Sequence, residues 1–218
     1  MNLRLALYSD QAIARNAGMN KRLLRLIGSQ HPRVGYVSAG PDPQRLYFNQ
    51  KRKHYAQTGF DLAVYLDEMT VDFERTVAAL GSCDAIHLSG GNTFSFLHWL
   101  KARGVFAELH RYAMAGQVLI GESAGSVLMT PAILTAAFCG DVRVPGSTDD
   151  SGLGLVDFYF WPHYRAGLEA IPNIAACLQQ LPKVLGCPDG AGVIIDGDAT
   201  EYFGEIQGFS DGIMQRRL

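Results

Sequence analysis

The chain has 218 residues, of which 48% are hydrophobic and 18% charged, and this length and composition suit a globular protein with one sizeable core. Its formal net charge of −2 argues against the strongly basic field that nucleic-acid-binding proteins use. No run approaches the ~18 apolar residues that a membrane-spanning helix needs, and the N-terminal segment lacks the long apolar region of a signal peptide. We therefore expect one domain over residues 1–218, located in the cytoplasm, with neither nucleic acid nor membrane as a partner.

Cysteines and basic residues give no sign of a cofactor or of a charged binding face. The four cysteines share no metal-ligand spacing and form no CxxC motif, so we expect reduced thiols and no metal site. Basic residues cluster only at 51–53 and at 216–217. Short charged clusters of this kind are typical of solvated surface, and we interpret both in that way.

The first half of the chain alternates short apolar runs with longer helix-like stretches. Strands are predicted at 3–8, 34–38, 62–66, 85–89 and 118–120. Helices are predicted between them at 20–30, 44–57, 70–80 and 93–115, the last one interrupted at Gly104. This alternation indicates βαβ units, and therefore an α/β fold with a mostly parallel sheet and helices on both of its faces.

The last third of the chain has a different pattern. Residues 135–154 are rich in small, polar, glycine and proline residues and are predicted to be a loop. Further strands are predicted at 155–161, 183–187, 192–196 and 201–203, with a short helix at 174–181 and a hairpin turn at 196–198. We interpret these strands as additions to the edge of the same sheet, and not as a second domain.

Residues 121–125 have the sequence Gly-Glu-Ser-Ala-Gly, directly after an apolar strand and before a helix-compatible run. This is the arrangement of a nucleophile elbow, in which a sharp turn holds the serine hydroxyl clear of the sheet. A side chain at Gly121 or Gly125 would crowd the backbone, and the N–H of Ala124 would point to where an oxyanion forms. The alternative is an ordinary strand-to-helix turn in which Ser123 caps the helix.

A second glycine-rich turn lies at 88–94, between the strand at 85–89 and the helix that follows it. Two adjacent glycines allow backbone N–H groups to turn towards a ligand, and the helix N-terminus adds a partial positive charge. The turn could complete an oxyanion hole with Ala124 or bind a substrate carboxylate. The alternative is a plain turn that is capped by Asn92 or Thr93.

A serine nucleophile needs a base, and His163 is the candidate among six histidines. It follows a strand and Pro162, and in open α/β sheets the ligand crevice lies outside the carboxyl ends of the strands. The alternative is a loop histidine bonded to backbone, and His87, inside a strand, is interpreted as a packed residue. The orienting acid is left open among Asp141, Asp149 and Asp150, while Glu122 is better suited to the site's edge and Asp189 is interpreted as part of a turn.

Three motifs follow one another in the chain: Leu-Ser-Gly-Gly-Asn-Thr at 88–93, Gly-Glu-Ser-Ala-Gly at 121–125 and Phe-Trp-Pro-His-Tyr at 160–164. In this order they resemble the peptidase E family, family S51. Segments 34–40 and 45–48 are also similar to that family. The resemblance covers most of the chain. It implies a class I glutamine-amidotransferase-like, flavodoxin-like fold and a cofactor-free serine peptidase that removes N-terminal aspartate from dipeptides or short peptides.

The resemblance also implies roles for individual residues. The nucleophile corresponds to Ser123, the base to His163, and the oxyanion donors to the backbone of Gly91 and Ala124. The family acid is an aspartate about twenty residues before the histidine, and Asp141 lies 163 − 141 = 22 residues before it, with Asp150 as the reserve.

Binding of a substrate aspartate requires a cation, for which Arg165 and Arg143 are the candidates. Asn92, in the second glycine-rich turn, is a third candidate for substrate binding.

Several alternatives remain open at this point. A glutamine amidotransferase or deglycase would share the fold but would use cysteine at the elbow, where this chain has Ser123. A cyanophycinase-like hydrolase would need a broad groove, and the sequence has no enlarged insertion to form one. Another amidase on the same fold and a non-catalytic binding module are the remaining alternatives. The expected partner is a small peptide, and the oligomeric state, a homodimer included, is left open.

Overall fold

The computed structural model describes residues 2–11 and 14–215, so the basic pair at 216–217 lies outside the described residues. Its larger sheet has seven strands in the order β3-β2-β4-β5-β1-β8-β9. The first five strands of the chain are mutually parallel where they pair, while β8 runs antiparallel to β1 and β9 antiparallel to β8. These strands are β1 (Arg4–Tyr8), β2 (Arg33–Val37), β3 (Asp61–Leu66), β4 (Ala85–Leu88), β5 (Val118–Glu122), β8 (Gly192–Asp196) and β9 (Ala199–Phe203).

Helices cover both faces of this sheet, as the alternating pattern predicts. Successive strand side chains point to opposite faces, so Ala6 and Tyr8 pack against α1 and α2, whereas Leu5 and Leu7 belong to the core beneath the other helices. Gly104, with φ 74°, separates α4 from α5 at the predicted interruption. The helices are α1 (Ala17–Ile27), α2 (Leu46–Gln57), α3 (Phe73–Leu80), α4 (Thr93–Ala102), α5 (Val105–Met114), α6 (Ala124–Leu128) and α7 (Pro172–Leu178).

The last third of the chain builds a second sheet of four strands, in the order β11-β10-β7-β6. The prediction that the C-terminal strands all extend the first sheet is therefore wrong: only β8 and β9 do so. The second sheet has its own apolar cluster, in which Trp161, Tyr164 and Phe209 pack together under α7. Its strands are β6 (Tyr159–Pro162), β7 (Val184–Cys187), β10 (Gln207–Ser210) and β11 (Ile213–Met214).

The two sheets meet where β5, β6 and β7 end. The segment predicted as loop at 135–154 contains part of a 3₁₀ helix, Leu134–Cys139, and Thr135 Oγ1 donates to Phe160 O of β6 at 2.6 Å. Ser123 follows β5, His163 follows β6, and Asp189 follows β7 by two residues. The carboxyl ends of strands from both sheets thus surround one crevice. Within the described ranges, no helix has the length and apolar character needed to cross a membrane.

Candidate active site

The turn after β5 has the strained geometry of a nucleophile elbow. Ser123 has φ 50° and ψ −109°, and its side chain makes no capping bond to α6, which contradicts the helix-cap alternative. A Cβ on Gly125 would lie 2.2 Å from Leu88 O, and one on Gly121 would lie 2.5 Å from Ser126 N. Both positions therefore require glycine. The bond from Ser123 N to Tyr8 O, 2.9 Å long, helps to hold the turn against its strain.

His163 and Asp189 extend from this turn as a hydrogen-bonded chain. Ser123 Oγ lies 2.8 Å from His163 Nε2, and His163 Nδ1 lies 2.6 Å from Asp189 Oδ1. His163 itself has φ 56°, and its N–H donates to Ser9 Oγ at 2.9 Å. The Ser9 hydroxyl lies 3.4 Å from Asp189 Oδ1, so it contacts both partners of the imidazole–carboxylate pair.

The expectation that Asp141 orients His163 is wrong. Asp141 Oδ2 instead accepts a hydrogen bond from Thr93 N, at 2.7 Å, at the first turn of α4. The reserve, Asp150, is paired with Arg143, and Asp149 accepts from Lys101 Nζ at 2.7 Å.

The carboxylate that contacts His163 comes from Asp189 because β6 and β7 are parallel neighbours, with Pro162 opposite Cys187. The same strand-end argument that selects His163 could have selected Asp189, since Asp189 also follows a predicted strand by two residues.

The second glycine-rich turn packs against the first one. A Cβ on Gly90 would lie 3.7 Å from Ser123 Cβ, and Gly91 has φ 142° with Ala39 Cβ only 2.6 Å from where its own Cβ would be. The bonds of the nucleophile turn use the N–H groups of Ser123, Gly125 and Ser126, and the N–H of Ala124 takes no part in them. Gly91 adjoins Gly90, which packs against Ser123, and Ala124 follows Ser123 in the chain, so both turns border the nucleophile.

Asn92 has a structural role at this turn. Its Oδ1 accepts from Ser95 N at 2.9 Å and caps α4, and its Nδ2 donates to Val142 O at 3.0 Å. Asn92 also lines the cavity described next, and its amide has a second N–H and a second acceptor lone pair with which it could contact a ligand.

A cavity of about 950 Å³ opens in front of Ser123 and His163. Its far wall comes from the β2–α2 segment and includes Tyr36, Tyr47 and Lys51. Within the described part of the chain, Lys51 is the only lysine or arginine that lines it, so neither expected arginine is in place.

Arg143 and Arg165 lie outside the lining of the cavity for different reasons. Arg143 pairs with Asp150, with Nη2 2.6 Å from Oδ2, and its guanidinium lies 4.5 Å from the centroid of the Phe94 ring. Arg165 follows β6 by three residues, is exposed, and begins the chain segment that leads to α7. The expectation that either side chain faces the substrate is therefore contradicted.

Glu122, directly before the nucleophile, accepts two hydrogen bonds and faces a histidine. Lys51 Nζ donates to its Oε1 at 2.7 Å, Gln11 N donates to the same oxygen at 3.1 Å, and His87 Nε2 lies 3.6 Å from Oε2. Tyr55 OH lies 2.9 Å from the other ring nitrogen of His87. Lys51 is 8% exposed, so the interpretation of 51–53 as solvated surface is wrong for this residue.

The surroundings of Glu122 favour a carboxylate beside a neutral histidine. Burial raises the pKa of Glu122, but hydrogen bonding from His87 and the charge of Lys51 outweigh it and hold this pKa well below its usual range. Burial lowers the pKa of His87 to about 4, against the opposing effect of Glu122. In the tautomer in which Tyr55 OH donates to Nδ1, the ring proton of a neutral His87 is on Nε2, towards Glu122.

Known proteins resemble this chain in sequence. The model of peptidase family S51 matches residues 5–203. The chain is 32% identical over 124 residues to an uncharacterized peptidase from Pasteurella multocida (strain Pm70), covering 55% of this chain and 58% of that protein. It is 26% identical over 196 residues to Peptidase E from Nostoc sp. (strain PCC 7120), covering 84% and 77% of the two chains. The chain spans about half the length of the first curated relatives that it matches.

Solved structures support the fold. The structure of a peptidase from an acI-B1 Actinobacterium superposes with a TM-score of 0.73 at 15% identity, covering 100% of this chain and 94% of the other. This likeness confirms the predicted class I glutamine-amidotransferase-like α/β fold. Because the family model covers nearly the whole sequence, the chain belongs to peptidase family S51.

Proposed function

We propose that this chain is a serine peptidase that hydrolyses short peptides through an acyl-enzyme. Ser123 is the nucleophile, His163 the general base and Asp189 the acid that orients the imidazole. The observation that carries the proposal is the continuous chain from Ser123 Oγ to His163 Nε2, at 2.8 Å, and from His163 Nδ1 to Asp189, at 2.6 Å. The first distance permits proton transfer from the hydroxyl to the imidazole, and the second is that of a hydrogen bond that orients the ring.

In the acylation step, Ser123 Oγ attacks the peptide carbonyl and its proton passes to His163 Nε2. The carbonyl electrons move to oxygen, and the N–H groups of Gly91 and Ala124 are the proposed donors to that oxyanion. The imidazolium then gives its proton to the leaving amine as the C–N bond breaks. Water attacks the ester with His163 again as base, which releases the acid and restores Ser123.

The proposal is tested with Ser123→Ala, which should lower kcat by roughly 10⁴-fold or more while the fold is kept. The matched control is Ser82→Ala, since Ser82 Oγ bonds Ala79 O at the end of α3, far from the crevice. A fluorophosphonate should label the wild type and the control covalently and leave Ser123→Ala unlabelled. Labelling or near-normal turnover by Ser123→Ala would reject the serine mechanism.

We further propose that the preferred substrates have an N-terminal aspartate. Support comes from membership of the family and from relatives named Peptidase E. A cavity of about 950 Å³ has ample room for a dipeptide, and Lys51 supplies an ammonium group at its wall, although Glu122 already pairs with it. The aspartate preference therefore rests more on the family than on the charges of the cavity.

The substrate proposal is tested by measuring kcat/KM for Asp-Leu, Asn-Leu and Leu-Leu. Asp-Leu should be the best of the three. Arg143→Met and Arg165→Met should each change all three values by less than about threefold, because neither side chain lines the cavity. Equal rates on Asp-Leu and Leu-Leu would reject the preference, and inertness to all three with intact fluorophosphonate labelling would favour an amidase with another substrate.

A further inference from the structure

A largely buried ion pair lies beside the nucleophile turn, in the wall of the cavity. The side chains of Lys51 and Glu122 are 9% and 15% exposed, and their charged atoms are 2.7 Å apart. Lys51 belongs to α2, which forms the cavity wall, while Glu122 is the last residue of β5. The pair therefore joins a wall helix to the turn that carries Ser123.

The position of Glu122 creates an electrostatic problem for the proposed reaction. Acylation by Ser123 creates a negative charge on the substrate oxygen, beside Ala124 N–H. Glu122 precedes Ser123 and lines the same cavity, so its own charge would repel the developing oxyanion. Repulsion between like charges is strong where water is partly excluded. A cation that cancels the charge of Glu122 removes this repulsion.

We propose that Lys51 is a positioning residue for the serine reaction: it neutralises Glu122, so that the oxyanion donors act unopposed, and it fixes α2 against the nucleophile turn. This inference rests on the proposed serine mechanism. It assigns no contact between Lys51 and the reacting atoms. Gln11 supports the arrangement, because its N–H donates to Glu122 and its Oε1 lies 3.4 Å from Lys51 Nζ.

When Lys51 is replaced, the pKa of Glu122 is set by the other groups around its carboxylate. Neutralising Lys51 leaves the N–H of Gln11 and the nearby His87 to favour the Glu122 carboxylate, against burial that raises the pKa of Glu122. The pKa of His87 rises as well, since the charge of Lys51 lowers it in the wild type. The titratable groups around the carboxylate are Tyr8 on β1, Tyr36 on β2, His87 on β4, and Lys51, His54 and Tyr55 on α2.

A distinctive pH dependence follows from these shifts. Without Lys51, the Glu122–His87 pair binds a proton at a higher pH than in the wild type. Whichever atom holds that proton, the net negative charge at the turn is cancelled below the pH at which the pair loses it. Above that pH the charge opposes the oxyanion. The defect caused by losing Lys51 should therefore grow as the pH rises.

The experiment measures the rate constant for labelling of Ser123 by a fluorophosphonate, together with kcat/KM on a neutral dipeptide, from pH 5.5 to 8.5. In labelling, Ser123 Oγ bonds to phosphorus, fluoride leaves and the proton passes to His163, so the peptide substrate need not be known. The variants are Lys51→Met, Lys51→Gln, Lys51→Arg and Lys51→Met with Glu122→Gln. Lys53→Met, an exposed lysine on the same helix, is the matched control.

Lys51→Met and Lys51→Gln should label about tenfold more slowly at pH 8 and approach the wild-type rate as the pH falls. Lys51→Arg and the double variant should recover most of the rate at pH 8. Lys51→Gln keeps a hydrogen-bond donor, and labelling rates are taken per folded molecule, so loss of folding in Lys51→Met does not decide the result.

A defect that is equal at all pH values, or one that Glu122→Gln does not relieve, would overturn the proposal. Failure of the wild type itself to label would instead reject the serine mechanism.

Discussion

Two histidine–carboxylate pairs flank Ser123, and their surroundings give them opposite properties. His163 and Asp189 have side chains that are 42% and 48% exposed, with 2.6 Å between Nδ1 and Oδ1. His87 and Glu122 are 0% and 15% exposed, with 3.6 Å between Nε2 and Oε2. The same two kinds of side chain thus form an open pair beside the hydroxyl and a closed pair behind it.

The difference arises from where each histidine lies relative to a strand. His87 is inside β4, so its ring is enclosed by the sheet and stacks on Tyr36 at 5.3 Å between centroids. His163 lies one residue beyond β6, where a positive φ turns the ring into the crevice. A residue past the strand end can reach a substrate, whereas one within the strand serves packing and electrostatics.

The largest expected effect of breaking the open pair is on catalysis. Asp189→Asn should lower kcat by about 10³–10⁴-fold, because an amide does not hold the imidazole in the required tautomer or stabilise its charged form. Stability should change by less than ~1 kcal/mol, since the carboxylate is half exposed. Steady-state kinetics and thermal unfolding check both parts. Unchanged kcat in Asp189→Asn would remove Asp189 from the mechanism.

Breaking the closed pair should lower stability more than it lowers catalysis. Glu122→Gln leaves Lys51 buried without its counter-charge and should cost about 3 kcal/mol, or roughly 6–12 °C in Tm, while kcat/KM per folded molecule falls by less than tenfold. Because the folded-state pKa of Glu122 is depressed, its contribution to stability is present above pH 4.5 and is lost as the pH falls further. The variant should lack that acid-side loss. A Tm equal to that of the wild type at pH 7 would contradict the role assigned to the ion pair.

Features that depend on a few neighbouring residues could be predicted from the sequence. The alternation of strands and helices, the break at Gly104 and the need for glycine at 121 and 125 all follow from local patterns or local crowding. The position of His163 beside Ser123 follows from a general rule about strand ends. The division of the C-terminal strands between two sheets does not, because strand pairing depends on partners far apart in the chain.

The identity of the acid and the burial of Lys51 also depend on residues that are far apart in the chain. The strand-end rule makes Asp189 a candidate, but choosing it over the loop aspartates requires knowing that β7 lies beside β6, although these strands are more than twenty residues apart. The burial of Lys51 could have been predicted from its spacing, although it belongs to a cluster of basic residues that is typical of surface. It lies three residues after Phe48 and four before Tyr55, on the buried face of α2. That spacing marks one helix face, and a lysine on such a face requires a buried partner.

The smallest expected effect belongs to Asp141, the carboxylate at the first turn of α4. It accepts from Thr93 N at the N-terminus of α4, where a negative charge is favourable, while Asn92 caps the same helix. Asp141→Asn keeps an acceptor and loses the charge, so it should cost roughly 0.3–1 kcal/mol and leave kcat/KM within about threefold. Asp149→Asn is the matched control, since that carboxylate is 61% exposed and bonds at the surface with Lys101 and with Ser151 N.

Thermal unfolding and kinetics of Asp141→Asn, Asp149→Asn and Asp189→Asn, measured side by side, discriminate between the two candidate acids. If Asp141 only supports α4, its variant lowers Tm slightly and retains the wild-type dependence of kcat on pH. A loss of a thousandfold in Asp141→Asn with little loss in Asp189→Asn would mean that the loop at 140–150 rearranges during the reaction and brings Asp141 to His163. The distance of 2.6 Å between His163 and Asp189 favours the first outcome, because Asp189 already occupies the position that Asp141 would have to take.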